Sequence, residues 1–307
     1  MATKYWIAST ASSFQGGTGV WSDSAAPANG DTLVFGAYGT GNCNAGLTNS
    51  LTTVTIIVEP GYTGQIGTVS SGVATPLTLD GGTINIVADP NQNNASSGSQ
   101  RLLFAFGASA GTVNIQASNS SGAEPSIPSV CVTGTSLAIN MTGGNLGVAV
   151  RPGETSTITT LTLSVGRTTP YLMLGRGVTG TNCDAVNGGT VLDMRTNLMK
   201  SIRNYGQGKW DYTGTGATTT VYLDGGTLYY TGTGTITTVT QKAGELNFAR
   251  SAAARTVTNA AIDGGTLNLD NGSPGAITFT NPITFPSGMD AVTILTPNGV
   301  KANIQAI

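Results

Sequence analysis

Five stretches of one pattern decide the fold: Gly189-Thr190-Val191-Leu192-Asp193, Gly208-Lys209-Trp210-Asp211-Tyr212, Gly226-Thr227-Leu228-Tyr229-Tyr230, Gly244-Glu245-Leu246-Asn247-Phe248 and Gly265-Thr266-Leu267-Asn268-Leu269. Their glycines stand 19, 18, 18 and 21 residues apart. The second and fourth positions after each glycine are apolar in almost every copy, and the third is usually polar. That is a period-two strand with one face turned inward. A segment of about 20 residues cannot bury such a face alone, so successive copies must stack and share one core. Stacking at about 4.8 Å per rung lines up Trp210, Leu228, Leu246 and Leu267 in one interior column, and Tyr212, Tyr230, Phe248 and Leu269 in a second.

The same motif recurs upstream with looser spacing, at Gly82-Thr83-Ile84-Asn85-Ile86, Gly111-Thr112-Val113-Asn114-Ile115 and Gly144-Asn145-Leu146-Gly147-Val148. The intervals of 29, 33 and then 45 residues to Gly189 imply longer loops or a degenerate rung between. Leu161, Leu163 and Val165 alternate in one such candidate. Asp80-Gly81-Gly82, Asn187-Gly188-Gly189, Asp224-Gly225-Gly226 and Asp263-Gly264-Gly265 read as tight corners, because glycine tolerates positive φ and Asp or Asn bonds back into the turn. A calcium role for these aspartates would need closely spaced G-G-x-G-x-D units, which the chain lacks.

Further strands precede the motif, as at residues 219–223, 235–239 and 256–258. Two or three short strands per coil, with threonine outward, predict an all-β parallel β-solenoid of about 18–21 residues per coil. Roughly twelve coils would make a rod near 60 Å long. The alternative is an antiparallel β-sandwich, since D-G-G is also hairpin chemistry; the steady period favours the solenoid.

Composition narrows the chemistry. The 307 residues include 13 Lys+Arg, 15 Asp+Glu and no histidine, for a formal charge of −2 and a charged fraction of 9%. Missing histidine excludes Ser-His and Cys-His nucleophiles and His-ligated zinc. So little positive charge argues against nucleic acid and acidic membranes as partners. No run of apolar residues is long enough for a membrane-spanning helix, and residues 1–14 are too polar for a signal-peptide core. Cys43, Cys131 and Cys183 are odd in number and far apart, which suits small buried residues better than a metal site or disulfide framework. No cofactor is implied.

Residues 1–66 read as a separate N-terminal β segment, a cap or docking element, before a solenoid body at residues 67–307. Trp6, Trp21, Phe35, Tyr38 and Tyr62 are scattered through it, and the glycine motif is absent. It carries Gly16-Gly17-Thr18-Gly19-Val20-Trp21-Ser22-Asp23, then Ala26-Pro27-Ala28-Asn29-Gly30-Asp31-Thr32-Leu33-Val34-Phe35 and Glu59-Pro60-Gly61-Tyr62-Thr63-Gly64-Gln65-Ile66-Gly67. This run resembles the segment that opens many β-helical repeat proteins of phages and bacteria. The glycine-rich rungs after it resemble bacteriophage virion proteins of the β-helix type, including capsid cement (decoration) proteins and, less closely, tail fibres or spikes. The motifs are architectural and specify a scaffold, not a ligand. The resemblance implies a structural virion protein on the capsid exterior, assembled in the host cytoplasm, with the major capsid protein as partner and stabilisation of the shell as its role.

Residues 192–203 (L-D-M-R-T-N-L-M-K-S-I-R) form a long stretch free of glycine and proline. They read as a short helix or a protruding loop. Arg195, Lys200 and Arg203, with Lys209 beyond, are the candidate contact patch for an acidic partner surface. The apolar C-terminal residues 291–307 show no capping helix, and exposed strand edges need covering. Another copy of the chain is expected there, most readily in a homotrimer.

Two other functions compete with cement. A fibre or spike binding carbohydrate would use outward aromatic faces; Tyr222, Tyr229, Trp210 and Tyr212 are the candidates, and the repeat phase turns Trp210 and Tyr212 inward and leaves Tyr229 outward. A polysaccharide-degrading enzyme would need two carboxylates about 5 to 9 Å apart in a groove. Asp193 and Asp211 are the nearest approach to such a pair, and their phases put one inside and the other outside. No catalytic residues are therefore expected.

Overall fold

The computed structural model describes residues 1–70, 73–87, 102–117, 128–164, 170–180, 183–185, 189–195, 199–270, 277–285, 292–295 and 304–306, with backbone alone at 183–185, 199–206 and 304–306. The described residues form strands, turns and bends, with no helix. Two compact units emerge: Met1–Thr159 with Gly166–Met173, and Thr160–Val165 with Leu174–Ile307. In both, the principal strand pairings are parallel, which is incompatible with a sandwich of hairpins. One short antiparallel pair, Thr68–Ser70 with Val73–Thr75, lies in the first unit.

The first unit stacks Thr3–Tyr5, Thr32–Phe35, Thr55–Val58, Gly82–Ile86, Gly111–Ile115 and then residues 137–141 of the strand Val130–Met141. Their register aligns Leu33, Ile56, Ile84, Val113 and Ile139, all buried. Phe35, Val58, Ile86, Ile115 and Met141 form the neighbouring buried column. Between the columns Asn85, Asn114 and Asn140 make an amide ladder: Asn114 Nδ2 donates to Asn85 Oδ1 at 2.8 Å and Asn140 Nδ2 to Asn114 Oδ1 at 2.9 Å. Identical side chains repeated at rung spacing satisfy one another in this way.

Two expectations change here. The boundary at residue 66 separates nothing, because Thr55–Val58 pairs directly with Gly82–Ile86 and Ile66 bridges Leu102. Strands 32–35 and 55–58 are rungs that lack the glycine signature. The Gly144 copy also belongs elsewhere: Leu146 and Val148 pair with Val130 and Val132, and Leu137-Ala138-Ile139-Asn140-Met141 occupies the rung after Gly111. Apolar alternation, not the glycine, defines a rung. The degenerate candidate forms the strand Ser156–Leu163 with Leu161 and Leu163 buried; Val165 lies outside the described residues.

Residues 1–66 instead gather an aromatic cluster. Trp6 packs against Trp21 and Phe35 with ring centres 5.2 Å apart in each case, Phe14 contacts Trp21 at 5.8 Å, and Tyr62 contacts Phe35 at 5.2 Å. All five are fully buried, whereas Tyr38 is 70% exposed. The indole N–H groups donate to backbone, Trp6 Nε1 to Gly41 O and Trp21 Nε1 to Phe14 O. The strand Thr3–Tyr5 pairs on one side with Thr32–Phe35. Its other side is covered by the chain's own residues 20–22: Ile7 N–H donates to Val20 O, Ser22 N–H to Tyr5 O, and Tyr5 N–H to Ser22 Oγ. Buried Lys4 bonds the carbonyls of Ala25 and Ala26 and pairs with Asp23 (2.9 Å) and Asp31 (3.4 Å). A strand edge is thereby closed without another molecule.

The second unit carries the regular period. Val191, Trp210, Leu228, Leu246, Leu267 and Ile294 are register partners on successive rungs. Tyr212, Tyr230 and Phe248 stack in the adjoining column with ring centres 4.7 and 5.9 Å apart. All eight column residues expected from the sequence are at most 1% exposed. Two more registers run alongside, Val221–Val239–Ala260 and Leu223–Gln241–Ile262, both buried. The corners have the predicted glycine geometry, with φ of 132° at Gly225 and 63° at Gly226. A second kind of corner, T-G-T-G at residues 213–216 and 231–234, depends on close approach: a Cβ at Gly232 or Gly234 would collide with the carbonyl oxygen of Gly214 or Gly216 one rung below. The buried Tyr230 hydroxyl donates to Gly234 O at 3.0 Å, and Tyr212 donates to Gly216 O, so the aromatic column also satisfies these corners.

The phase of the rungs predicts unequal costs at neighbouring positions. Leu228→Ala should lower the unfolding free energy by about 2–5 kcal/mol through the cavity it leaves. Tyr229→Ala, one residue on and half-exposed, should cost about 1 kcal/mol or less. Urea titrations of the two variants against the parent chain measure the difference.

The Lys4 site predicts loosening at both ends of the pH scale. Burial opposes the Asp31 carboxylate, but the Ala2 and Ala28 N–H groups and Lys4 outweigh it and hold its pKa below the ordinary 3.8. Its stabilisation is therefore present above that value and lost as pH falls through the lower folded one. Burial likewise opposes charged Lys4, yet Asp23 and Asp31 raise its pKa above 10.5, so its contribution is lost as pH rises through the folded value. Tryptophan emission should shift red at both extremes, and Asp31→Asn should remove the acid-side component.

Candidate functional site

The expected contact patch is divided by the fold. In the strand Thr190–Asp193 the inward phase falls on Val191 and Asp193, so a carboxylate occupies the position that Tyr212 takes one rung later. Asp193 is 0% exposed and Arg195 only 1%. Arg195 donates through Nε to Asp193 Oδ1 at 2.9 Å and through Nη2 to Oδ2 at 2.7 Å, and Trp210 Nε1 donates to Oδ2 at 3.2 Å. A bidentate, fully buried ion pair is a structural element of the core. Arg195 is therefore no surface contact, and the reading of residues 192–203 as a helix or protruding loop is corrected. Residues 192–193 end one strand, residues 199–203 open the strand Met199–Tyr212, and residues 196–198 lie outside the described residues. The side chains of Lys200 and Arg203 also lie outside them.

Lys209 is exposed, at the start of an outward strip. Asp211 and Tyr229 are register partners on its rungs, pointing away from the core. Arg250 lays its guanidinium 3.3 Å from the centre of the Tyr229 ring and reaches Asp211 Oδ2 at 3.4 Å; Lys209 Nζ lies 5.3 Å from the same ring. Glu245 Oε1 accepts from Asn247 Nδ2 at 2.6 Å and Asn268 Nδ2 at 3.4 Å. Two cations and two carboxylates share this strip, so it presents no net positive charge. Arg250 already stacks on Tyr229, which leaves that ring poorly placed to take a sugar.

Asp193 and Asp211 end on opposite faces of one sheet and do not converge on a groove. Among the described residues no three His, Cys, Asp or Glu side chains gather as metal ligands. Cys43 and Cys131 are buried, and burial pushes the Cys43 thiol well above its ordinary pKa; the side chain of Cys183 lies outside the described residues. Tyr230 is raised to about 12, chiefly by burial. Arg255, which sequence reading overlooked, is a buried guanidinium held by carbonyls: Nε donates to Gly232 O at 2.6 Å, Nη2 to Thr231 O at 3.1 Å and Nη1 to Ser251 O at 3.0 Å. Two of these three partners come from a corner 23 to 24 residues upstream, which no local motif announces.

Elsewhere on the outward faces of this unit, Lys242, Asp224 and Asp263 are exposed near the glycine corners. Just before the Asp224-Gly225-Gly226 corner, Tyr222 lies beneath Lys242, whose Nζ is 5.8 Å from the ring centre. Next to it a cleft of about 260 Å³ opens on the sheet, lined by threonine, asparagine, alanine, valine and proline.

The buried ion pair makes a sharp prediction. Asp193→Ala strands a buried guanidinium and should destabilise the chain by about 3–5 kcal/mol, whereas the apolar double variant Asp193→Leu/Arg195→Met should recover most of that loss. Chemical denaturation of Asp193→Ala, of the single variants Asp193→Leu and Arg195→Met, and of the double variant measures the coupling. Comparison of the chain with family profiles, curated proteins and solved structures returns no match.

Proposed function

We propose that this chain is a non-catalytic structural protein, a closed parallel β-solenoid that binds the outside of an assembled phage capsid and stabilises the shell. The observation that carries the reading is the pairing of a self-contained core with long, nearly neutral outward rows. The inward columns bury their own aromatics. The row Thr190, Lys209, Thr227, Glu245, Thr266 and Thr293 leaves short or compensated side chains at rung spacing on the other face. Such a face is stiff, flat and cheap to desolvate, which suits broad contact across the boundary between shell subunits. A ligand that binds only the assembled state stabilises it by mass action, without chemistry.

The self-contact at Thr3–Tyr5 bears on assembly. With that edge covered internally, the partner surface is expected on an outward face or toward the C-terminal strands Val292–Leu295 and Ile304–Ala306, where a homotrimer would form. Carbohydrate-binding fibre or spike remains the competing role, and copy number separates the two.

Particles carrying the chain in hundreds of copies, with a burst temperature that falls when the chain is omitted, are the expected result. A few copies per particle would indicate a fibre or spike, and an unchanged burst temperature would sink the cement reading. The charge-reversed variant Lys209→Glu/Arg250→Glu should weaken shell binding only modestly if the contact is broad and neutral.

A further inference from the structure

We infer that the cleft on the second unit is a binding site for a neutral glycan chain. Two outward rows frame it: Thr238, Asn259 and Asn281 on one side, and Thr240, Ala261 and Thr284 on the other. The cleft exists because Ala261 offers only a methyl group where the rungs above and below carry threonine. No charged residue lines it among the described residues.

Its chemistry is that of a polyol receptor. Asn281 Nδ2 donates to Asn259 Oδ1 at 2.7 Å, and Asn259 Nδ2 donates to Thr237 O at 3.3 Å, so the two amides are held in one orientation. Each amide has two donors and a two-lone-pair acceptor, and Asn281 is exposed at the end of the ladder with capacity left over. Thr284 Oγ1 donates to Ala260 O at 3.2 Å, which turns its lone pairs outward as acceptors. Sugar hydroxyls both donate and accept, and this lining offers both in fixed positions. The Ala261 methyl and the Pro282 ring supply an apolar floor for the C–H face of a pyranose. The rows repeat at about 4.8 Å, comparable to one sugar unit, so a chain lying along the stacking direction meets a threonine or asparagine group at each rung.

An anionic ligand is disfavoured because the lining has no cation to meet it, and an apolar one because threonine and asparagine groups would be desolvated without partners. The rows are also preorganised by the strands, which limits the ordering cost of a weak polar site. The inference does not rest on the shell-binding role: a glycan could be recognised by a cement protein or by a fibre.

An array of immobilised neutral and acidic oligosaccharides, probed with the labelled full-length chain, tests it. Binding to neutral oligosaccharides is expected, weakened about tenfold or more by Ala261→Trp, which fills the cleft. Asn281→Ala, an exposed truncation, should weaken the same binding in the same direction. Both variants should keep the parental urea transition, which separates lost binding from lost folding. Absence of binding across the array, binding restricted to acidic glycans, or binding untouched by both substitutions would each overturn the site, and none of these would bear on capsid stabilisation.

Discussion

Parallel stacking of in-register rungs is the constraint from which the rest follows. Each rung hydrogen-bonds the one before and the one after, so a residue meets its register partner at about 4.8 Å whether or not the two suit each other. Like residues suit each other: leucine over leucine fills volume, ring over ring offsets, and asparagine over asparagine closes an amide ladder. Misfits must be resolved within the column. Asp193 is the clearest case, a carboxylate at the head of a column of rings, made tolerable only because Arg195 folds back on it and Trp210 donates from the next rung.

Charge is scarce for the same reason. A charge placed on a repeating position would face its counterpart on the next rung, and like charges so close repel. Several of the charges present are accordingly used once and locally compensated: Lys4 with Asp23 and Asp31, Arg195 with Asp193, Arg250 with Asp211. Most of what remains outward on the described rungs is threonine, asparagine and glycine. Such a face fits the proposed contact with a protein shell and the proposed glycan site.

The corners show how sequence economy and packing meet. Glycine at D-G-G is needed for backbone angle, while glycine at T-G-T-G is needed because the previous rung's carbonyl lies where a side chain would be. The tyrosines at position four then reach those corner carbonyls with their hydroxyls. One residue type thus fills the core and satisfies the turn. Arg255 serves the same corner from a different rung, bonding Thr231 O and Gly232 O.

Period-two alternation at a steady interval was enough, from the amino-acid order alone, to assign inward and outward positions in the second unit, because burial in a strand depends on parity and little else. The buried columns from Trp210 to Leu269 were legible for that reason. Rungs without a glycine, such as Thr32–Phe35, Thr55–Val58 and residues 137–141, were not, since their membership is decided by which strand they pair with. Nor could linear order show that Arg195 turns inward onto Asp193, that four of five scattered aromatics cluster around Phe35 and take in Phe14, or that Ala261 opens a cleft between two threonines. Arg195 lies only two residues from Asp193, but its inward turn is decided by how the rungs pack, and the aromatic cluster and the cleft bring together side chains distant in sequence, a separation that only the tertiary structure closes.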